Sequence, residues 1–146
     1  MLVQGANGIT IKADVMIDTL NIDLFDMMVL PGGWGGTDQL VENVTVQKFL
    51  KIMNNHNKLV GSICAAAFAL DTAGVLSEHY TCYPSVEERI SQPNYDATQQ
   101  VIKEGNVMTS RGPGTAICFG LQIVKELVGQ EQYHALKSGL LADFCD

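Results

Sequence analysis

Residues 61–70 read GSICAAAFAL, and they overlap the short run LVGSI of residues 59–63. A short, mostly apolar run of this kind predicts a strand buried on both faces, as in a parallel sheet. From Ala65 to Leu76 the pattern turns helical, with Gly74 near its end. Cys64 therefore stands where a buried strand passes into a helix. Ligands in open α/β sheets bind at the carboxyl ends of strands, so the thiol is placed where chemistry is expected.

A thiol becomes a nucleophile when its thiolate is stabilised, and a helix N-terminus does this. A sharp strand-to-helix turn also lifts the side chain above the sheet. Ala65, Ala66 and Ala67 are small and are expected to leave room for a substrate and for close backbone approach. The amide of Ala65 points towards the same space. A second amide is available from the Gly32–Gly33 turn in MVLPGGWGG. Two amides beside a thiolate have the layout of an oxyanion hole or anion site. The competing interpretation is packing, because cysteine is often a small buried hydrophobe.

Outward from this stretch, GITIKADVMID (residues 8–18) alternates apolar and polar residues and predicts a strand. Met27–Leu30 is an apolar run that stops at Pro31-Gly32-Gly33 and predicts a short buried strand. Val46, Phe49, Leu50 and Met53 fall at helical spacing within TVQKFLKIMNNHNK. HYTCYPS predicts a short strand, and SVEERISQ a short helix capped by Ser85 with Glu88. In that helix Glu87, Glu88 and Arg89 are expected on a solvated face. QQVIKEGNVMTSRG predicts a hairpin turning at Glu104-Gly105-Asn106. GTAICFGLQIVKELVG is an amphipathic helix with Ile117, Leu121, Val124 and Val128 on its apolar stripe, followed by a last helix over QEQYHALKSGLLAD. Strands alternate with helices, so the class is α/β with a mainly parallel sheet.

At 146 residues the chain is expected to be one domain. Its net charge of −7, from nine basic and 16 acidic residues, disfavours nucleic acid as a partner. No apolar run reaches membrane-spanning length, and the N-terminus lacks signal-peptide character, so a soluble, cytoplasmic protein is expected. The four cysteines, at 64, 82, 118 and 145, show no CxxC spacing and no zinc pattern. Disulfides are allowed but not demanded by length or composition. Cys118 is expected in the core, and Cys145 exposed and inert near the terminus. No metal or organic cofactor is indicated.

Four segments in order, MVLPGGWGG, GSICAAAFAL, TCYPS and TSRGPGTAICFGLQIV, resemble the ThiJ/PfpI superfamily and specifically its DJ-one branch. The likeness runs from about Gly8 to Gly129. It implies a flavodoxin-like three-layer α/β sandwich and a homodimer. It implies that Cys64 is the reactive, oxidation-prone cysteine, with the amides of Gly33 and Ala65 as its oxyanion site. Ser110 matches a residue lining the family's anion pocket. Gly32, Trp34, Tyr83 and Cys82 are expected around the pocket; Trp34 serves equally well as a dimer contact, and Cys82 as a second redox thiol. The resemblance implies glutathione-free glyoxalase or deglycase activity on small aldehydes or glycated substrates, or a redox-sensitive chaperone role.

Two departures stand out. The family's histidine beside the cysteine falls at Tyr83, and His56, His79 and His134 do not match it. Relatives also begin earlier, with a strand, a helix and a second strand. That segment carries the glutamate that bonds the cysteine, so no carboxylate here maps onto it. The chain is accordingly expected to be a fragment, or to fill an open sheet edge with another chain.

Overall fold

The glycine turn and the cysteine elbow end two neighbouring parallel strands, and the rest of the fold holds those two ends together. The computed structural model describes residues 1–146. In chain order the strands are β1 (Leu2–Gln4), β2 (Thr10–Lys12), β3 (Met27–Leu30), β4 (Leu59–Ile63), β5 (His79–Tyr80), β6 (Asn94–Tyr95), β7 (Val101–Glu104) and β8 (Val107–Ser110). The helices are α1 (Trp34–Glu42), α2 (Val44–Asn55), α3 (Ala67–Thr72), α4 (Ala116–Leu127) and α5 (Gln130–Gly139).

The main sheet has the order β3-β4-β8-β7. β3, β4 and β8 run parallel, and β7 returns antiparallel through the tight turn at Gly105 and Asn106. Glu104 pairs with Val107, which leaves a two-residue loop, and Gly105 supplies the positive φ of 60° that such a turn needs. Helices cover both faces: α1, α2 and α3 pack on one side and α4 on the other. The fold is the flavodoxin-like α/β sandwich, with a mixed, mainly parallel sheet.

The core on the α1–α3 side gathers Leu30, Leu50, Met53, Val60 and Leu70. α2 presents Val46, Leu50 and Met53 to it, while the Asn43 side chain caps the helix by accepting the Val46 N–H at 3.0 Å. On the other side α4 lies close because residue 61 is glycine. A Cβ there would lie 2.7 Å from the Met27 Cε and 3.1 Å from the Phe119 Cζ.

Several expectations change. The alternation in residues 8–18 yields only β2, which pairs with β1 as a hairpin apart from the main sheet; Ile9 and Ile11 stay exposed. β3 is an edge strand, paired on one side only, and only its Leu30 is buried. α1 was not legible, since Gly35 and Gly36 in its first turn weaken the helical signal. The expected helix at 85–92 is a single 3₁₀ turn, Glu87–Arg89; Ser85 has φ 76° and makes no cap. The apolar stripe expected on α4 is rotated: Cys118, Phe119 and Leu121 are buried, while Ile117 and Val128 face outward.

The largest correction concerns Cys145. It is buried and disulfide-bonded to Cys118, across a sequence separation of 27 residues. The bond anchors the C-terminal segment in a second small core with Leu121, Tyr133 and Ala142. Side chains secure the same segment: Tyr133 donates to the Asp146 carbonyl at 2.8 Å and Gln100 to the Phe144 carbonyl at 3.1 Å. No helix is long and apolar enough to cross a membrane.

Candidate active site

Ile63 ends β4 in extended conformation, and Cys64 then turns left-handed, with φ 65°. A non-glycine residue there is strained, and such strain is held only where the surroundings enforce it. The turn continues as a 3₁₀ segment, Cys64–Ala66, before α3 begins. α3 is only six residues long, so the helix end contributes less field at the thiol than a long helix would. Cys64 is half-buried.

The glycine turn lies directly against this elbow. A Cβ on Gly32 would sit 2.5 Å from the Cys64 Cβ, 2.8 Å from the Ile63 carbonyl oxygen and 3.1 Å from the Cys64 Sγ. No side chain fits there. Gly33 is constrained differently: its φ is 89°, with open space where a side chain would stand. Gly32, Gly33, Ile63, Cys64, Pro113 and Ala116 enclose an open cavity of about 340 Å³. Neither the Gly33 amide nor the Ala65 amide takes part in a turn or loop hydrogen bond. The thiol therefore faces a small cavity whose wall includes Gly33; Ala65, buried in the core, is not part of that wall.

The three alanines do something other than expected. Ala65, Ala66 and Ala67 are all buried in the hydrophobic core, so their small size lets α3 pack inward instead of widening a substrate path.

The remaining residues named from the sequence disperse around this centre. The Tyr83 N–H donates to the Cys64 carbonyl at 3.3 Å, tying its segment to the elbow. Its ring packs on Gly112, where a Cβ would lie 3.1 Å from the Tyr83 Cδ2. Tyr83 lines an adjoining cavity with Pro84, Arg111 and the turn 112–115, which shares Pro113 with the Cys64 cavity. Ser110 lines neither: its hydroxyl donates to the Gln100 carbonyl at 3.0 Å and lies 2.7 Å from the Thr115 Oγ1. Trp34 lines a groove on the other side of the glycine turn, with Val3–Ala6 and Gly35–Gly36.

Cys82 is fully buried and does not line the cavity. Its Sγ donates to the Glu87 Oε2 at 4.0 Å. Burial, and then the Glu87 charge, push its thiol up to about 12 from 9.0. Cys82 thus stays protonated at neutral pH, which argues against a second redox thiolate.

Sequence reasoning missed Pro113 and Ala116 as cavity walls, although both belong to the SRGPGTA segment. In the 87–89 turn Glu88 and Arg89 are exposed, as expected, but Glu87 is half-buried against Cys82 and the Arg89 guanidinium also lies against aromatic rings.

A strained cysteine elbow beside a glycine turn, on a flavodoxin-like sheet, defines a class of cysteine-bearing α/β proteins. The chain matches the DJ-1/PfpI family over residues 1–126 and belongs to that family. Protein dj-1beta of Drosophila melanogaster is 36% identical over 144 residues, covering 97% of this chain and 77% of that protein. The glutathione-independent glyoxalase DJR-1.2 of Caenorhabditis elegans is 33% identical, over 92% of this chain and 72% of that one. The crystal structure of Drosophila melanogaster DJ-1beta superimposes with a TM-score of 0.91 at 37% identity, covering 96% of this chain and 76% of that one.

Proposed function

We propose that the chain is a cysteine-dependent glyoxalase or deglycase, with Cys64 as nucleophile, acting as one domain in a cytoplasmic homodimer. The observation that carries this is the strained Cys64 elbow facing a cavity lined also by Gly32 and Gly33, with the amides of Gly33 and Ala65 proposed as its oxyanion donors. The glyoxalase name of the Caenorhabditis elegans relative supports the substrate class, a 2-oxoaldehyde.

The Cys64 thiolate adds to the aldehyde carbon. A C–S bond forms and the carbonyl π pair moves to oxygen, where the two amides stabilise it. A proton then moves from the former aldehyde carbon to the neighbouring carbon, and the second carbonyl becomes a hydroxyl. The resulting thioester is cleaved by water. The sum is aldehyde plus water giving a 2-hydroxy acid, with no net oxidation and the thiol returned. With a glycated amine, whose aldehyde carbon is a carbinolamine, the thiolate displaces the amine: the C–S bond forms, the C–N bond breaks, the amine leaves with a proton, and the same hemithioacetal results. These steps need a proton carrier. No carboxylate or imidazole lines the cavity, so the proton carrier comes from outside the residues that line it.

That same absence favours a second reading, a redox sensor or chaperone without turnover. Oxidation of Cys64 to sulfenic and then sulfinic acid needs only a thiolate, an oxidant such as peroxide, and donors for the new anion.

The test is the pH profile of iodoacetamide labelling at Cys64, read by peptide mass spectrometry with buried Cys82 as internal control. Labelling of Cys64 at a pH well below that of a free thiol, about 8.5, supports both readings. Labelling of Cys64 only at the pH of a free thiol, or no faster than Cys82, overturns both. Peroxide treatment then separates them: oxidation at Cys64 in a chain that consumes no aldehyde favours the sensor.

A further inference from the structure

Arg89 is exposed, yet its guanidinium lies against two aromatic rings, its Cζ 4.9 Å from the centre of Trp34 and 4.2 Å from the centre of Phe68. It has no carboxylate partner: the ion pairs of the molecule are His56–Asp23, His79–Asp96 and Lys103–Glu126. The two ring faces are therefore what hold it.

The three residues come from the three segments that build the candidate site. Trp34 follows Gly33 directly and opens α1. Phe68 lies on α3, four residues beyond Cys64. Arg89 ends the turn that follows Tyr83, whose N–H bonds the Cys64 carbonyl. One side chain thus joins the glycine turn, the cysteine elbow and the Tyr83 segment.

We propose that Arg89 is a positioning residue for the Cys64 site, its guanidinium clamped between Trp34 and Phe68 so that the Gly33 amide and the Tyr83 segment keep their places beside the thiol. The functional half of this rests on Cys64 being the reactive residue. The physical basis is the attraction of a cation to a ring face, strengthened by the planarity of the guanidinium, which a lysine ammonium lacks. Loss of the clamp frees Trp34, which adjoins Gly33, and so loosens the glycine turn that packs on Cys64.

Trp34 is the single tryptophan of the chain, so its fluorescence reports the clamp without any label. The experiment compares wild type, Arg89→Ala and Arg89→Lys by acrylamide quenching of Trp34 and by the pH profile of iodoacetamide labelling at Cys64. Arg89→Ala is expected to raise the quenching constant about two-fold and to lower the labelling rate at Cys64 about three-fold or more, with the profile displaced in pH. Arg89→Lys is expected to fall between. Should Arg89→Ala unfold, Phe68→Leu removes one face of the clamp from the other side and is expected to change both readouts in the same direction.

Quenching that matches wild type shows that no clamp exists and overturns the proposal. Freed Trp34 with an unchanged Cys64 profile overturns the positioning role, leaving the stack as surface packing. If wild-type Cys64 labels only like a free thiol, the functional reading falls instead, while the quenching result still decides whether the clamp forms.

Discussion

Replacing Gly32 by alanine tests the closest contact in the candidate site. The new methyl would lie 2.5 Å from the Cys64 Cβ and 2.8 Å from the Ile63 carbonyl oxygen. Real carbon–carbon contacts stand at about 3.5–4.0 Å, so the two backbones must part by about 1 Å. Neither neighbour is the flexible end of a side chain, so the strain falls on the elbow itself. Overpacking of this kind costs about 1–3 kcal/mol. The movement also carries the Gly33 amide away from the thiol. Urea unfolding of Gly32→Ala is expected to lose stability in that range, and labelling of Cys64 is expected to slow. Gly114→Ala is the control, since nothing lies within 4 Å of a Cβ there and Gly114 is not among the glycines of positive φ. A Gly32→Ala protein with wild-type stability and wild-type labelling would refute the packing of the glycine turn against Cys64.

Gly33→Ala meets no atom but must hold φ 89°, so it is expected to lose about 1–2 kcal/mol in urea melts through backbone strain alone. The Cys118–Cys145 bond closes a loop of 27 residues, and chain entropy puts its contribution at about 3.5 kcal/mol; Cys145→Ser is expected to lose most of that, and non-reducing peptide mapping should recover the 118–145 pair. Mapping that finds both thiols free contradicts the pairing. In alkali, Tyr80 and Cys82 are both held neutral by burial, each up to about 12. The folded state therefore keeps protons that the unfolded state has released, so stability is full below pH 9 and falls as pH rises from 9 towards 12. Melts of Cys82→Ala across that window should show a shallower fall than wild type.

The sequence was most informative where its signal is local. The strand–glycine turn at Leu30–Gly33 and the strand–cysteine turn at Ile63–Cys64 lie within a few residues each, so the residue pattern alone places both strand ends. The hairpin at Gly105 and the apolar spacing of Val46, Leu50 and Met53 in α2 were legible for the same reason, whereas the Asn43 cap was not read. Alternation over residues 8–18 misled because it records only that a strand could form, not that another element covers it; Ile9 and Ile11 have no such cover. The alanines after Cys64 suggest a cleared path, but smallness alone does not say which face is crowded, and here it is the core face. Pro113 and Ala116 reach the cavity only because α4 packs on the far side of the sheet, which is tertiary information. The Cys118–Cys145 bond joins α4 to the C-terminal segment and leaves no periodic trace. It is also the feature least expected of a cytoplasmic protein, where thiols are kept reduced. Arg89 reads as a solvated charge and is exposed, but its contacts with Trp34 and Phe68 join distant segments and leave no trace in the local pattern.

The most direct measurement is the conversion of methylglyoxal to lactate without glutathione, followed for wild type and Cys64→Ala at matched concentration. The expected result is lactate formed mole for mole with methylglyoxal lost, and loss of that activity to background in Cys64→Ala. Equal rates in the two proteins, or methylglyoxal lost without lactate, would contradict Cys64-dependent glyoxalase chemistry.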